Sequence, residues 1–390
     1  MTAAASMTIA TAEDLARRGV VGAAVAACYE ALAIDDRDAR VHALIAHLML
    51  EGDFYDEAIA AATRAIETDP DCSPAYLALG LAYDRRGGMW DQSVLVWHEL
   101  AEVEPDLVTA HVQLGEAFAA AAFEEEALES WQRALELDPT EARATYNLAI
   151  ASLKREGMAL ALPLFRKAGE LDPSQDELFF ALAGAAEDVP PPADPAEVGP
   201  TREVRCAAAL ASLRAEDLFG AADFVRLVLD EDADDAEALA LAAYAYLKQQ
   251  AYNEAMACAL KALSVAPALP TALYSLGVVY ARRPGLDRHA ARVFITLARQ
   301  AGAHALVHVL LAESLLGLQR YEQAGKAYRS AVRLDPACVR ARFGLAAAHL
   351  TAGRHAEAQW EISRAAYYDT KRQGLFWRLY DAYAAGGERP

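Results

Sequence analysis

The same set of small and aromatic residues recurs about every 34 residues along most of this 390-residue chain. In the segment that starts at Val108, the set comprises His111, Leu114, Gly115, Phe118, Ala127, Trp131, Ala134 and Pro139. Corresponding positions carry similar residues in three more segments: Tyr76, Leu79, Gly80, Tyr83, Trp97 and Pro105; Leu273, Leu276, Gly277, Tyr280 and Phe294; and Leu311, Ala312, Ala324, Tyr328, Ala331 and Pro336. A period of this length predicts an array of two-helix units that bury their apolar faces against neighbouring units.

This pattern resembles the tetratricopeptide repeat (TPR), in which aromatic-x2-Leu-Gly-x2-aromatic is followed by Ala-x3-aromatic and then by Ala and Pro. The resemblance covers nearly the whole chain. It implies an all-α fold, a right-handed α-solenoid of about ten helix-turn-helix repeats. The repeats are predicted to begin near residues 5, 39, 73, 108 and 142, and again near 202, 236, 270, 305 and 339.

Each recurring position suggests a physical role. We expect Gly80, Gly115 and Gly277 on the first helices to face Ala or Ser on the second helices, because helices approach closely where side chains are small. The aromatic residues are expected to fill gaps between neighbouring repeats. Proline cannot extend a helix, so we expect the second helices to end before the late prolines. These are Pro70, Pro105, Pro139, Pro173, Pro267 and Pro336.

The array contains an internal duplication. Each repeat start in the second set lies 197 residues after its counterpart, as 202 does after 5. We therefore predict two blocks of five repeats, 1–186 and 202–390, each ending in a capping helix that carries Leu178-Phe179-Phe180 or Leu375-Phe376-Trp377. In this family such a helix covers the exposed apolar face of the last repeat. The proline-rich linker 187–201 is either a simple surface loop or a hinge between two arms.

Charge and cysteine usage narrow the function. The formal net charge of −20 argues against nucleic acid as a partner, because phosphate recognition depends on clustered Lys and Arg. The five widely spaced cysteines form no C-x-x-C pair and are expected to be core residues in a reducing compartment. We find no segment typical of a signal peptide or of membrane insertion, so the sequence predicts a cytoplasmic protein.

The sequence contains no recognisable catalytic motif. It lacks a phosphate-binding glycine loop, G-x-S-x-G and H-E-x-x-H, and the repeats occupy the chain, so we predict no enzyme activity, no cofactor and no metal site. His304 and His308 are four residues apart, but His308 falls at an inward repeat position and no carboxylate or cysteine accompanies the pair.

The predicted partner is a protein or peptide, bound in the concave groove that the first helices line in this family. Several groove residues recur in both blocks, and packing alone does not require a Glu or an Arg there. The predicted partner-binding residues are Glu116, Arg143, Tyr146, Phe180, Glu313, Arg340, Phe343 and Trp377. Two readings stay open: the residues form a ligand groove, or they pack on one another. The loops Arg85-Arg86 and Arg282-Arg283 are a rival site for an acidic partner.

These observations predict a non-catalytic scaffold or adaptor that binds a peptide or helix. One alternative is a regulatory sensor that changes curvature when a peptide binds. Another is a structural protein that self-associates end to end. The carboxylate clamp found in one subset of the family is not expected, because only Arg143 and Asn147 occupy comparable positions.

Overall fold

The computed structural model describes residues 3–171, 174–184, 201–367 and 371–386. Over these residues the chain forms 22 α-helices and no strand, which confirms the all-α prediction. The helices are α1 (Ala3–Arg17), α2 (Val21–Leu32), α3 (Ala39–Glu51), α4 (Tyr55–Thr68), α5 (Ser73–Arg86), α6 (Trp90–Val103), α7 (Val108–Ala120), α8 (Glu124–Leu137), α9 (Ala142–Glu156), α10 (Met158–Glu170), α11 (Ser174–Leu182), α12 (Arg202–Arg214), α13 (Leu218–Glu231), α14 (Ala236–Lys248), α15 (Tyr252–Val265), α16 (Pro270–Ala281), α17 (Asp287–Gln300), α18 (Ala305–Gly317), α19 (Tyr321–Leu334), α20 (Val339–Thr351), α21 (His355–Tyr367) and α22 (Lys371–Gly386).

The helix pairs follow the predicted repeats. Apart from α1, each first helix begins at the predicted residue, from Ala39 in the second repeat to Val339 in the tenth. The second helices α4, α6, α8, α15 and α19 each end two residues before a late proline, as expected for a residue that cannot continue a helix. Pro173 and most of the linker 187–201 lie outside the described residues.

The helices belong to two compact units. Unit 1 contains residues 1–151 and 369–390, and unit 2 contains residues 152–368. Unit 1 therefore includes α22, whereas unit 2 includes α10 and α11. The predicted blocks 1–186 and 202–390 describe a duplication of the sequence. The compact units instead group residues that contact one another, so they do not test these blocks, which stay a prediction.

First and second helices differ in burial. In α5, every residue from Ser73 to Ala82 is buried, because this helix packs on several neighbours at once. The second helix α4 instead buries Ala58, Ala61, Ala62 and Ala65, a single stripe at helical spacing. The first helices thus form the interior of each unit, and the second helices expose their other side.

The glycine that recurs on the first helices faces an aromatic ring. This finding corrects the expectation that it would face an Ala or Ser side chain. A Cβ atom added to Gly115 would lie 2.4 Å from Nε1 of Trp131, on the second helix of the same repeat. Gly80 meets Trp97 and Gly277 meets Phe294 in the same way. The aromatic side chain therefore occupies the space that glycine leaves inside its own repeat.

The turn between the two helices uses one backbone conformation in successive repeats. A residue with positive φ stands at the fifteenth repeat position, 14 residues after the start, as Asp53 does after Ala39. The residues at this position are Gly19, Asp53, Ala122, Glu216, Gln250, Gln319 and Gly353. Most are not glycine, so helix packing on either side maintains a conformation that costs about 1–2 kcal/mol.

Candidate functional site

The first helices of unit 1 hold an aromatic helix from the end of the chain. We call the surface of α1, α3, α5 and α7 groove 1. Helix α22 packs chiefly on α5 and α3 of this surface. The ring of Phe376 stacks on His47 with centroids 3.8 Å apart and an interplanar angle of 7°, and Trp377 meets the same imidazole edge-on at 5.9 Å. Phe376 and Tyr380 are both fully buried.

Polar contacts fix the position of α22 in groove 1. The Arg17 guanidinium lies 4.1 Å above the Trp377 ring and forms an ion pair of 2.5 Å with Asp381. The Tyr380 hydroxyl donates to Glu13 at 3.1 Å. Burial, together with the nearby Glu13 carboxylate, raises the pKa of Tyr380 well above its ordinary value, so the phenol stays a neutral donor.

The first helices of unit 2 hold a second aromatic helix. We call the surface of α12, α14, α16 and α18 groove 2. Helix α11 packs on α16 and α18 of this surface. Phe179 stacks on Tyr244 with centroids 3.6 Å apart and an interplanar angle of 4°. Phe180 meets Tyr244 edge-on at 5.9 Å, and the Arg214 guanidinium lies 4.7 Å from the Phe180 ring.

An acidic residue anchors the start of α11. Asp176 accepts a hydrogen bond of 2.6 Å from the Tyr244 hydroxyl and forms an ion pair of 2.7 Å with Lys248. Burial of the phenol raises the pKa of Tyr244, and the Asp176 carboxylate raises it further. Tyr244 therefore donates a hydrogen bond and stacks on an aromatic ring at the same time.

The two grooves seat their helices through equivalent residues. His47 and Tyr244 are 197 residues apart, and so are Arg17 and Arg214. On the seated helices, Phe179 and Phe180 correspond by the same offset to Phe376 and Trp377. The predicted partner-binding residues include Phe180 and Trp377 of the seated helices but not the two arginines that cover them. Their recurrence at the offset of the duplication was the signal that could have found them.

The predicted residues Glu116 and Arg143 form an internal ion pair in unit 1. Arg143 Nη2 lies 2.5 Å from Glu116 Oε2, and Asn147 Nδ2 donates to Glu116 Oε1 at 2.9 Å. The Arg143 side chain is only 7% exposed. These charges therefore already satisfy one another between α7 and α9.

The equivalent residues Glu313 and Arg340 pair in unit 2. Arg340 donates two hydrogen bonds of 2.7 Å to Glu313, and its Nη1 donates to the Gly169 carbonyl at 2.9 Å. A Cβ atom on Gly169 would lie 2.5 Å from the Arg340 guanidinium, so a side chain at this position would force the buried guanidinium to shift. The buried arginine thus ties α10 to α18 and α20.

The other predicted site residues lie in separate places. Tyr146 on α9 and Phe343 on α20 are buried in their respective units. Phe180 and Trp377 belong to the seated helices α11 and α22, and each contacts first helices of the unit that holds it. Within each unit, the structure therefore brings together one Glu–Arg pair.

The arginines of the rival loops have local partners. Arg85 donates to the Leu50 carbonyl at 3.3 Å, and Arg86 pairs with Asp56 at 2.6 Å. In unit 2, Arg282 lies 3.5 Å from Glu170, and Arg283 donates to Asn253. These contacts connect each loop to neighbouring helices of its unit.

A cavity of about 350 Å³ remains open beside α22 in unit 1. Its walls include Val112 and Arg143 from the first helices, and Leu375 from α22. The remaining lining residues are Asp106, Leu107, Val108, Thr109, Gln113, Asp138, Glu141 and Arg378. Three carboxylates and two arginines share this lining, so the cavity offers both charges to a polar segment.

The described residues contain no group of three or more His, Cys, Asp and Glu side chains that could hold a metal ion. His308 Nε2 makes a hydrogen bond of 2.9 Å with the Gly302 carbonyl, a structural contact with the turn that precedes its repeat. In the part of the chain that the structure describes, no helix combines the length and apolar character needed to span a membrane.

Family models for the tetratricopeptide repeat match more than half of the chain. One such model matches residues 44–89, 112–176 and 309–372, and a second matches residues 236–269. The matched segments lie in both units and include α3–α5, α7–α10, α14–α15 and α18–α21.

Among solved structures, the chain is similar to several structures of MamA. The MamA RS-1 ArsTM double mutant is 20% identical with a TM-score of 0.42, covering 45% of this chain and 99% of that one. MamA 41-end from Desulfovibrio magneticus RS-1 is 20% identical with a TM-score of 0.40, covering 43% and 95% of the two chains. The search of curated proteins gives no significant match.

Proposed function

This chain belongs to the tetratricopeptide-repeat family of protein-interaction scaffolds, and we propose that it binds a helix or extended peptide of a partner protein in groove 1. The proposal includes no catalytic step and no cofactor. Of the eight predicted partner-binding residues, this proposal keeps only those that border groove 1. Among them, Arg143 lies at the edge of the open cavity, and Glu116 holds it in place.

The observation that carries this proposal is the seating of α11 and α22. Each helix lies on a surface of first helices, and each uses two adjacent aromatic residues, one stacked on a ring and one below an arginine. Such surfaces therefore have the shape and chemistry for an amphipathic helix, which is a common mode of peptide recognition. Equivalent residues seat one helix in each groove, as expected for two copies of a duplicated block, and they mark the side chains that a bound helix would contact.

The open cavity beside α22 supports groove 1 as the place where a partner enters. Asp106 at its rim is exposed, and Asp138 and Glu141 add two more carboxylates. A partner segment with a Lys or Arg side chain would gain charge complementarity there, and Val112 and Leu375 provide an apolar floor.

Site-specific photocrosslinking in the full-length chain tests this proposal. A photoreactive amino acid is placed at Thr109 or at Glu141, which both line the cavity. The matched control carries the same amino acid at Glu129, an exposed residue of the second helix α8. We expect the two cavity positions to give the same adduct, and the crosslinked segment, made as a synthetic peptide, to bind the purified chain.

Two further results complete the test. Thr109→Trp, at a partly exposed residue of the lining, should fill part of the cavity and weaken binding of that peptide, with the helical circular dichroism unchanged. Adducts of equal yield at Glu129, or a peptide that binds the Thr109→Trp variant as well as the wild type, would place recognition on another surface of the repeats.

A further inference from the structure

We propose that α22 is a resident ligand that closes groove 1, and that the partner is a helix of another protein with the same aromatic pattern, which takes its place. This inference rests on the proposed function and specifies both the partner class and the regulation of the site. The pattern is Leu-aromatic-aromatic-x-Leu-aromatic followed by an acidic residue, as in residues 375–381.

The pattern follows from what groove 1 contacts. Leu375 with Leu379, and Phe376 with Tyr380, form two i,i+4 pairs, and all four side chains are buried on one apolar face of α22. Trp377 is partly exposed at the edge, where Arg17 covers its ring. The acidic residue is specified by the ion pair between Arg17 and Asp381.

The seat of α11 shows which part of the pattern is general. Leu178, Phe179 and Phe180 are buried in groove 2, and Leu182 packs against the same core cluster. The stacked ring and the covering arginine are therefore common to both grooves. The aromatic residue Tyr380 and the acidic residue Asp381 are particular to the helix in groove 1.

The polar anchors indicate that groove 1 is the groove that opens. The Arg17 and Asp381 side chains are 42% and 58% exposed, and an ion pair that exposed adds little stability. In unit 2, the helix that precedes α11 is fixed by Arg340, whose side chain is 3% exposed and which bonds the Gly169 carbonyl. Arg166 of the same helix also pairs with Asp287. Helix α22 also bonds through Tyr380 to Glu13 and through Tyr383 to Asp69, so the difference between the grooves lies in the buried anchors of the helix that precedes α11.

Tethering sets how strongly α22 competes. A segment joined by a short connection has an effective concentration on the order of 1 mM. If the isolated helix bound groove 1 with a Kd of about 10 µM, the tethered copy would lower the apparent affinity of a free helix about 100-fold. Groove 1 would then stay closed to weak ligands and open to helices that bind much more tightly.

The test uses a fluorescent peptide of residues 371–386 as the probe and the full-length chain as the receptor. We expect little binding to the wild type and at least tenfold tighter binding to the Phe376→Ala/Trp377→Ala variant, measured by anisotropy. Ala382→Gln, an exposed position of α22, is the matched control and should behave as the wild type.

The binding site is located by two equivalent substitutions in the double variant. Arg17→Ala should weaken probe binding about tenfold, whereas Arg214→Ala, the counterpart in groove 2, should leave it unchanged. Equal effects of the two substitutions would overturn the assignment to groove 1.

A nicked chain provides a second measurement that does not depend on how the double variant folds. A protease site is inserted between residues 367 and 371, and the folded chain is then cut. We expect the cut chain to exchange its α22 for the probe and the uncut chain not to do so. If neither the cut chain nor the double variant binds the probe, the inference is wrong.

Two controls separate this outcome from related ones. A partner adduct at Thr109 without any probe binding would leave the proposed function standing and show that partners bind beside α22. Light scattering of the wild type at about 100 µM should give a monomer, because this concentration is below the effective concentration of the tethered α22. A dimer that the double variant loses would identify a second copy, not another protein, as the ligand and overturn the inference.

Discussion

Gly115→Ala tests whether close contact between glycine and an aromatic ring holds each repeat together. The new Cβ would lie 2.4 Å from Nε1 and 2.6 Å from Cδ1 of Trp131, whereas relaxed contacts between carbon atoms are about 3.5–4.0 Å. The indole ring, which is 5% exposed, would have to move by about 1 Å. Since the ring is buried in a core cluster with Val112 and Ala134, we expect an overpacking cost of about 3 kcal/mol.

Helix propensity acts in the opposite direction. Replacing a glycine inside a helix with alanine stabilises the helix by about 1 kcal/mol. The net loss for Gly115→Ala is therefore about 2 kcal/mol. For a unit of this size, the loss should lower Tm by about 4–8 °C. Gly374→Ala is the control, because nothing lies within 4 Å of its added Cβ, and it should leave Tm unchanged or slightly higher.

A double-mutant cycle with Trp131→Leu isolates the contact. In that background the ring is absent, so Gly115→Ala should become neutral or stabilising, and the coupling energy should be about 2–3 kcal/mol. The measurement is denaturant unfolding followed by far-UV circular dichroism. A wild-type Tm for Gly115→Ala, or a coupling energy near zero, would show that the ring does not occupy the place of the missing side chain.

Three further predictions concern the seated helices, the buried charges and the thiols. Limited proteolysis is expected to cut the proline-rich segment 187–200 first. The N-terminal fragment would then carry α11, which belongs to unit 2, and the C-terminal fragment would carry α22, which belongs to unit 1. The two fragments should therefore co-elute in size-exclusion chromatography rather than separate. Loss of the aromatic pairs on both helices should let the fragments separate, and separation of the wild-type fragments would contradict the seating. Arg340→Met should cost about 3–5 kcal/mol in denaturant unfolding because it leaves Glu313 without its buried partner, and Glu313→Gln/Arg340→Met should recover part of that loss. Burial raises the pKa of Cys28 to about 12 and of Cys206 to about 11, so at pH 8 these thiols hold less thiolate than an exposed cysteine and should react with a thiol reagent only after unfolding, while the partly exposed Cys338 should react in the native state. Rapid native labelling of Cys28 would show that this core position is open to solvent.

The repeat boundaries could be predicted from the sequence because they depend on local chemistry. A proline that follows the last turn prevents a helix from extending, and the 3.6-residue periodicity of apolar side chains is present in each segment by itself. The starts of α3 at Ala39 and of α20 at Val339 were therefore predicted to the residue. The offset of 197 residues between the two sets of repeats was also visible in the sequence alone.

The partners of individual side chains were decided by the tertiary structure. The pattern predicted that the position of Gly115 has no room for a side chain, but not that Trp131 is the residue packed against it. Which side chain packs there depends on the angle at which the two helices cross. The recurrence of Glu116 and Arg143 suggested a surface for a ligand. The structure instead pairs them with each other, which satisfies two charges that would be costly to bury alone.

The triplets at residues 178–180 and 375–377 show most clearly what sequence could and could not determine. Their composition identified two apolar helices that needed to be covered, and their similarity identified them as counterparts. The sequence predicted that each would cover the last repeat of its own block, whereas α22 packs on α5 and α3, and α11 packs on α16 and α18. This difference arises because an apolar face specifies only that it must leave water. The surface that binds each helix is determined by one ring, His47 or Tyr244, and by one guanidinium, that of Arg17 or Arg214. Only folding brings these groups together with the helix that they hold.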